Sequence, residues 1–191
     1  MEDNNLRVRI KKAAIEHFNN YGYHGTTIRN IAREVGCSLP MIYYYYKSKK
    51  ELFNEIITND YLALLVRLGK KIKKTDAIGF YTELVNNLND LSDPDRHLYR
   101  LGIKVYMSFD GDEEHIEAME RYEESVYPRH AEILRPHLRD PENCEVIVRT
   151  LIHLLDTLIV EIVVKGRTIA REDIEDEISL ILCDHLKPGA R

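Results

Sequence analysis

Cysteine is scarce, and its three copies, Cys37, Cys144 and Cys183, lie too far apart for a disulfide framework or a zinc site. A reducing cytoplasm is the compartment expected from this usage. No charged-then-apolar leader opens the sequence, so secretion is not expected. Alternating runs of β-branched residues are also missing, which leaves no support for a sheet. There is no nucleophile elbow, Walker loop or dinucleotide fingerprint. No histidine has a glutamate three residues before it, so the repeated Glu-x-x-His of a di-iron bundle is excluded. Asp112-Glu113-Glu114-His115 reads as the solvated opening of an acidic helix rather than a metal site. These absences leave no residue constellation for an enzyme, and neither a metal nor a cofactor is expected. A clean membrane span is lacking too. Val146 to Val164 is 13 of 19 apolar, but Arg149, His153, Asp156 and Glu161 interrupt it, each costly near a bilayer centre. A helix buried by protein on several sides fits that segment better.

The charge that is present is unevenly placed. The net charge of −5 divides into a basic head and an acidic body. Residues 1–50 carry nine Lys/Arg against four Asp/Glu, a net of +5; residues 51–191 carry eighteen against twenty-eight, a net of −10. Such asymmetry favours one nucleic-acid-facing end and discourages the body from wrapping phosphates.

Within the head, the stretch from Thr26 to Leu52 reads as two short helices and the capped start of a third. Ile28, Ile31, Ala32 and Val35 fall at helical spacing behind Thr27, which can cap the helix. Gly36 follows the last apolar position, where a left-handed residue is wanted. Ser38 is placed to cap the second helix, and Pro40 is tolerated in its first turn. Ile42 and Tyr46 can bury themselves against the preceding helices. Ser48-Lys49-Lys50-Glu51 has capping-box spacing. Upstream, Leu6, Ile10, Ala14, Phe18 and Tyr21 repeat on a helix that ends near Gly22. Two short helices joined by a glycine turn make a helix-turn-helix, whose second helix enters the DNA major groove.

At this point the first 52 residues resemble the DNA-binding domain of the TetR family of regulators. The resemblance rests on Ala14, Phe18, Tyr21-Gly22-Tyr23, Gly25-Thr26-Thr27, Ile31-Ala32, Val35-Gly36, Ser38, Ile42-Tyr43, Lys49 and Leu52. Two positions depart from it: Pro40 where many members have glycine, and Tyr46 where most have phenylalanine. The second adds a hydroxyl that needs a partner at a position expected to be buried. The resemblance implies DNA contacts from Thr26, Thr27, Arg29, Ser38, Leu39, Pro40, Met41, Tyr43, Tyr44, Lys47 and Lys49. Tyr43 and Tyr44 take phosphate and base-edge roles, and Lys49 a phosphate role. Core packing is the competing account for the tyrosines. Three successive helical residues span about 200°, however, so Tyr43, Tyr44 and Tyr45 cannot all face one core. Leu39, Pro40 and Met41 give the second helix an apolar leading edge. It can touch thymine methyls but cannot make bidentate bonds to guanine or adenine.

The remainder reads as about six more helices, giving an all-α chain of about nine. A DNA-binding domain is expected over residues 1–50 and an effector-binding and dimerisation domain over 51–191. One helix is expected from Lys49 past Leu68. Starts are expected at Thr75-Asp76, Ser92-Asp93-Pro94-Asp95 and Asp140-Pro141, with a break at Asp110-Gly111-Asp112. Ile116 belongs to the acidic helix after that break, and Pro128 should kink or split it. The seam Ile147, Leu151, Leu154, Leu155, Leu158 and Ile162 asks for more cover than one small chain readily supplies. The resemblance places the last two helices, including Ile174, Ile178, Ile181 and Leu182, across the two-fold axis of a homodimer. It also implies an effector pocket in the body, with Phe80, Leu84, Leu101, Val105, Tyr106, Phe109, Met119 and Tyr122 as candidate lining. Each of these is equally a plain core candidate. His153 and Asp156 can pair, cross the interface or face the ligand.

The function expected is a transcriptional regulator, a repressor released from double-stranded, pseudo-palindromic operator DNA by a small-molecule effector. The alternative is a helical protein-interaction module that has kept the head without operator control.

Overall fold

The computed structural model describes the backbone of residues 2–72, 76–107 and 113–189, and the side chains of 5–72, 76–107 and 124–189. Among them the regular structure is helical: α1 (Glu2–Gly25), α2 (Ile28–Val35), α3 (Leu39–Tyr45), α4 (Lys49–Asn54), α5 (Leu62–Gly69), α6 (Ala77–Asn86), α7 (Asp93–Tyr106), α8 (Glu113–Leu134), α9 (Cys144–Ile159) and α10 (Arg171–Leu182). Wider π-helical turns follow α4 over Glu55–Tyr61 and α9 over Val160–Val164. Thr75, Asp110-Gly111-Asp112 and the side chain of Ile116, singled out above, lie outside the described residues. The chain divides into two compact units, Met1–Leu65 with Ser92–Met119, and Val66–Leu91 with Glu120–Arg191. The first therefore takes in more than the 50-residue head.

In the first unit, α1 buries Ile10, Ala14 and Phe18 as their spacing requires. Gly22 (φ 71°) interrupts the helical backbone, a left-handed conformation that costs glycine least. The break shifts the register, so Tyr23 enters the core instead of Tyr21, which is 62% exposed. The Tyr23 ring packs 4.8 Å from Phe53 and 6.1 Å from Phe18. The long helix expected from Lys49 is present but not uniform, because its second and third turns widen into the π segment. Periodicity cannot reveal that, since one wide turn displaces the apolar stripe by less than a residue. Arg7 and Lys11 of α1 reach this segment, Arg7 to Glu55 at 2.6 Å and Lys11 to Asp60 at 2.8 Å. Helix α7 packs on α1 and on the π segment. Gly102 permits that approach: a Cβ there would stand 2.4 Å from the Tyr61 ring.

In the second unit, α10 packs on α6 and α9. Helix α6 turns Ala77, Ile78, Tyr81, Thr82 and Val85 inward, which leaves Phe80 and Leu84 half-buried. Helix α9 buries Ile147, Val148, Leu151, Ile152, Leu155 and Leu158, and its π extension adds Ile162 and Val163. Gly166 (φ 69°) ends the run. The Asn89 side chain pins the following loop, donating to the Ile169 carbonyl at 2.9 Å and accepting its N–H at 3.3 Å. Pro128 does not split α8. Pro128 and Glu124 are both exposed, so the carbonyl that loses its donor can turn to water. None of the described helices is long and apolar enough to cross a membrane.

A part-buried polar pair joins α6 to α8 in this unit. The hydroxyl of Tyr81 and Nδ1 of His130 are 2.9 Å apart, and Tyr81 is fully buried. Burial raises the Tyr81 pKa and, followed by the nearby Arg129 charge, lowers that of His130, so both rest neutral. The unfolded chain binds a proton at His130 more readily than the folded one. That histidine therefore costs stability as pH falls from the ordinary value of 6.5 towards its lowered folded value. The loss of melting temperature between pH about 7.5 and about 5.5 should be smaller in His130→Gln than in the wild type. Equal losses in thermal scans at the two pH values would reject this.

Candidate nucleic-acid interface

The candidate interface is built on the short connection between α1 and α2. The Gly22 carbonyl accepts the Thr26 N–H at 3.2 Å and the Thr26 hydroxyl at 2.7 Å, which satisfies a helix end that would otherwise be open. Thr26 is accordingly buried, 1% exposed, and this corrects its assignment as a DNA contact. Thr27 is exposed and its hydroxyl accepts the Asn30 N–H at 3.2 Å, the cap expected for α2. The opposite end of α2 closes on Gly36 (φ 71°), with Gly36 N–H to Arg33 O at 3.2 Å and Cys37 N–H to Ala32 O at 3.0 Å. Arg9 of α1 donates to the Val35 carbonyl and covers the same end. Burial raises the pKa of the Cys37 thiol, against the opposing charge of Arg9.

Helix α3 then starts after Ser38, whose backbone is extended as a cap requires but whose side chain makes no capping bond. Pro40 lies in the first turn, where its missing N–H has no intrahelical partner to lose. Within α3 only Ile42 is buried. Tyr46 ends the helix in extended conformation and is also buried. Its hydroxyl accepts from Arg7 Nε at 3.3 Å, the partner that the extra oxygen demands. Burial raises the Tyr46 pKa against the opposing influence of Arg7 and Lys11. The outward side of α3 is left with Pro40, Met41 (41% exposed), Tyr43 (50%) and Tyr44 (75%), and Leu39 is half-buried. Tyr44 is braced by Tyr45, edge to face at 5.2 Å. Arg29 on α2 and Lys47 after α3 are exposed in the same unit.

Lys49 differs from its expected role. Its Nζ donates to the Tyr23 carbonyl at 2.6 Å and the Thr26 carbonyl at 3.1 Å, and lies 4.2 Å from the centre of the Tyr23 ring. The ammonium is thereby turned inward to clamp the α1–α2 connection, where the resemblance implied a phosphate contact. Sequence spacing could not show this, because the carbonyls become convergent only once α1 breaks at Gly22. The start of α4 beneath it is capped as expected: Ser48 Oγ accepts the Glu51 N–H at 3.0 Å, and the Glu51 carboxylate accepts the Lys47 N–H at 2.7 Å.

The residues proposed for the body fall differently. Leu101 and Val105 are fully buried in the first unit and Tyr106 half-buried there. Phe80 and Leu84 are half-buried in the second, where His153 is exposed and Asp156 half-buried. The side chains of Phe109, Met119 and Tyr122 lie outside the described residues. A concavity of about 510 Å³ is lined from α8 and α9 by Tyr127, Pro128, Ala131 and Val148 together with Glu132, Arg135, Glu145 and Arg149. Sequence reasoning missed it because these residues alternate with charged ones and form no apolar stripe.

The seam given to a partner subunit is reassigned as well. Ile147, Leu151, Leu155, Leu158, Ile162, Ile174, Ile178 and Leu182 are all buried within the second unit of a single chain. Only Leu154 and Ile181 keep part of their surface accessible. Once α6 and α10 fold over α9, the wide apolar face has its cover without a second copy. The outer faces carry other residues: Val146, Thr150, His153 and Thr157 along α9, Val164 at the end of its π extension, and Leu180, 87% exposed, on α10.

Replacing Lys49 with Ala should lower the stability of the first unit by about 1–3 kcal/mol, since two carbonyls lose a charged donor at once. Urea denaturation followed by tyrosine fluorescence reads this directly. A midpoint equal to the wild type would return Lys49 to the solvent side.

Comparison with known proteins adds to this geometry. Residues 10–56 match the model of the family described as bacterial regulatory proteins, tetR family. A Bacillus subtilis relative, the uncharacterized HTH-type transcriptional regulator YdgC, is 36% identical over 53 residues. That match covers 28% of this chain and spans only 27% of the relative's own length. NalD, the secondary repressor of the MexAB-OprM multidrug efflux pump in Pseudomonas aeruginosa, superposes with a TM-score of 0.69 at 17% identity, over 97% of this chain and 98% of that one. SmeT, solved as a complex with triclosan, gives a TM-score of 0.68 at 17% identity, over 97% and 94%. At such identities the likeness is one of fold.

Proposed function

We propose that this chain, whose residues 10–56 match the tetR family model, is a DNA-binding transcriptional regulator of that family that acts as a homodimer on double-stranded, pseudo-palindromic operator DNA. The observation that carries this reading is α3. A helix held from behind by Ile42 and Tyr46 presents Met41, Tyr43 and Tyr44 outward from the segment whose net charge is +5. Arg29 and Lys47 are the exposed cations assigned to the phosphates, with Thr27 and Ser38 at the flanking helix starts. Residues 1–50 are assigned to DNA binding and 51–191 to effector binding and dimerisation, in the cytoplasm.

The regulator is a repressor in this reading, and a small molecule bound in the body releases it. NalD is a repressor and SmeT was solved with triclosan, which supports the reading by analogy of fold. Release requires the effector to bind the DNA-competent and DNA-incompetent arrangements with different affinity, because equal affinity shifts nothing. The pairing face is assigned to the outward sides of α9 and α10 around Val146, Val164 and Leu180, joined by the accessible parts of Leu154 and Ile181.

Two measurements test this. If the dimer neutralises roughly 6–8 phosphates, a plot of log affinity against log salt should have a slope near −5 to −7. A slope near zero in gel shifts with the protein's own upstream DNA would remove the DNA-binding role. Sedimentation should show a dimer that Leu180→Glu converts to a folded monomer, since Leu180 contributes nothing to its own core. Leu155→Glu, by contrast, should unfold the second unit, because a charge is placed where the chain packs on itself. A Leu180→Glu protein that stays dimeric would move the interface elsewhere.

A further inference from the structure

We propose that α3 reads its half-site through thymine 5-methyl groups, so that the operator is specified by A·T pairs presenting methyls in the major groove. The inference rests on the DNA-binding reading above and adds the chemistry by which that site discriminates. Helix α3 is Leu39-Pro40-Met41-Ile42-Tyr43-Tyr44-Tyr45, without one Arg, Lys, Asn, Gln, Asp or Glu. The bidentate pairs that read guanine O6/N7 or adenine N6/N7 are therefore out of its reach. With Ile42 buried, Pro40, Met41 and Tyr44 fall on one helical face at three- and four-residue spacing, flanked by Tyr43. What this face offers is methylene, thioether methyl and ring carbon, with single phenol hydroxyls at the rim. In the major groove the one apolar group a base pair displays is the thymine methyl.

Ser38, exposed and without a capping bond at the start of α3, offers a single hydroxyl and no bidentate pair, and the other polar residues nearest to α3 do not change that balance. Thr26 is buried against the Gly22 carbonyl, and the Lys49 ammonium is spent on the carbonyls of Tyr23 and Thr26. The Lys47 backbone N–H is already bonded to Glu51, so this residue offers DNA only its flexible side chain. Arg29 stands on α2 and is exposed. In the proposal it acts with Lys47 on phosphates, which carry no sequence, and α3 sets the sequence preference.

The test uses the full-length protein and a duplex selected from a random pool. The selected half-sites should be rich in thymine, and replacing single thymines by deoxyuridine, which removes only the methyl, should weaken binding. A buried methyl is worth about 0.8 kcal/mol, so each effective replacement should cost about four-fold in affinity, with the salt slope unchanged. Met41→Ala, at a position too exposed to threaten folding, should abolish the response to deoxyuridine at one position of the half-site and leave the others. Binding that is salt-dependent but indifferent to every deoxyuridine, or a selected site fixed by guanines, overturns the methyl reading and leaves DNA binding intact. If no duplex is bound at any salt, the DNA-binding reading falls and this inference with it.

Discussion

The five residues from Gly22 to Thr26 constrain everything in the first unit. The positive φ of Gly22 stops α1 and leaves carbonyls that need donors, and the donors come from the chain that follows. Thr26 supplies its N–H and hydroxyl to Gly22, and Lys49 supplies an ammonium to Tyr23 and Thr26 from twenty-three residues further on. With these in place Thr27 is extended and free to cap α2, and α2 can deliver the Gly36 turn that aims α3. The ring of Tyr23 lies beneath the same lysine and against Phe18 and Phe53, so the polar clamp and the apolar core share one side chain. Loss of one element of the connection reaches the orientation of α3 without touching it.

A second set of polar contacts joins α1 to the chain after α4, and its weight is smaller. Arg7 bridges the Tyr46 hydroxyl and Glu55, and Lys11 reaches Asp60. These ion pairs are partly exposed, where such pairs contribute about 0–1 kcal/mol each. The burial of Leu52, Phe53, Ile56 and Ile57 beside them, at about 1.5–3 kcal/mol per large side chain, decides how the π segment packs. Arg7 has the further task of satisfying Tyr46, an oxygen that would otherwise be desolvated alone.

The body illustrates why an apolar stripe is ambiguous. From the sequence, the α9 seam looked wide enough to need a partner. In the fold, α6 and α10 cover it, and among the described residues of the second unit the most exposed large aliphatic side chain is Leu180, on the face of α10 opposite Ile174, Ile178 and Leu182. A stripe records that water is excluded from one side of a helix. It does not record whether the excluding surface belongs to the same chain or to another. The same limit applies to Phe80 and Leu84, candidates equally for pocket lining and for core, which the fold leaves half-buried. Helix α6 turns Tyr81 and Val85 inward, and the Tyr81 hydroxyl meets His130 on that side.

What the sequence determined by itself is local: the all-α character, the caps at Thr27, Ser48, Asp76 and Ser92, the left-handed stop at Gly36, and the burial of Ile28, Ile31, Val35, Ile42 and Tyr46. The caps and the left-handed stop follow from interactions within about four residues, and the apolar periodicity marks the side of each helix that is buried without naming what covers it. The tertiary structure alone decided the inward turn of Lys49, the burial of Thr26, the exchange of Tyr21 for Tyr23 and the widened turn after α4. It also decided that the α9 seam faces its own chain. These depend on groups tens of residues apart becoming neighbours, Lys49 with Tyr23, Arg7 with Glu55, Tyr61 with Gly102. A lysine's reach is the same whether its nearest acceptors are phosphates or main-chain carbonyls, and only the fold says which are within it.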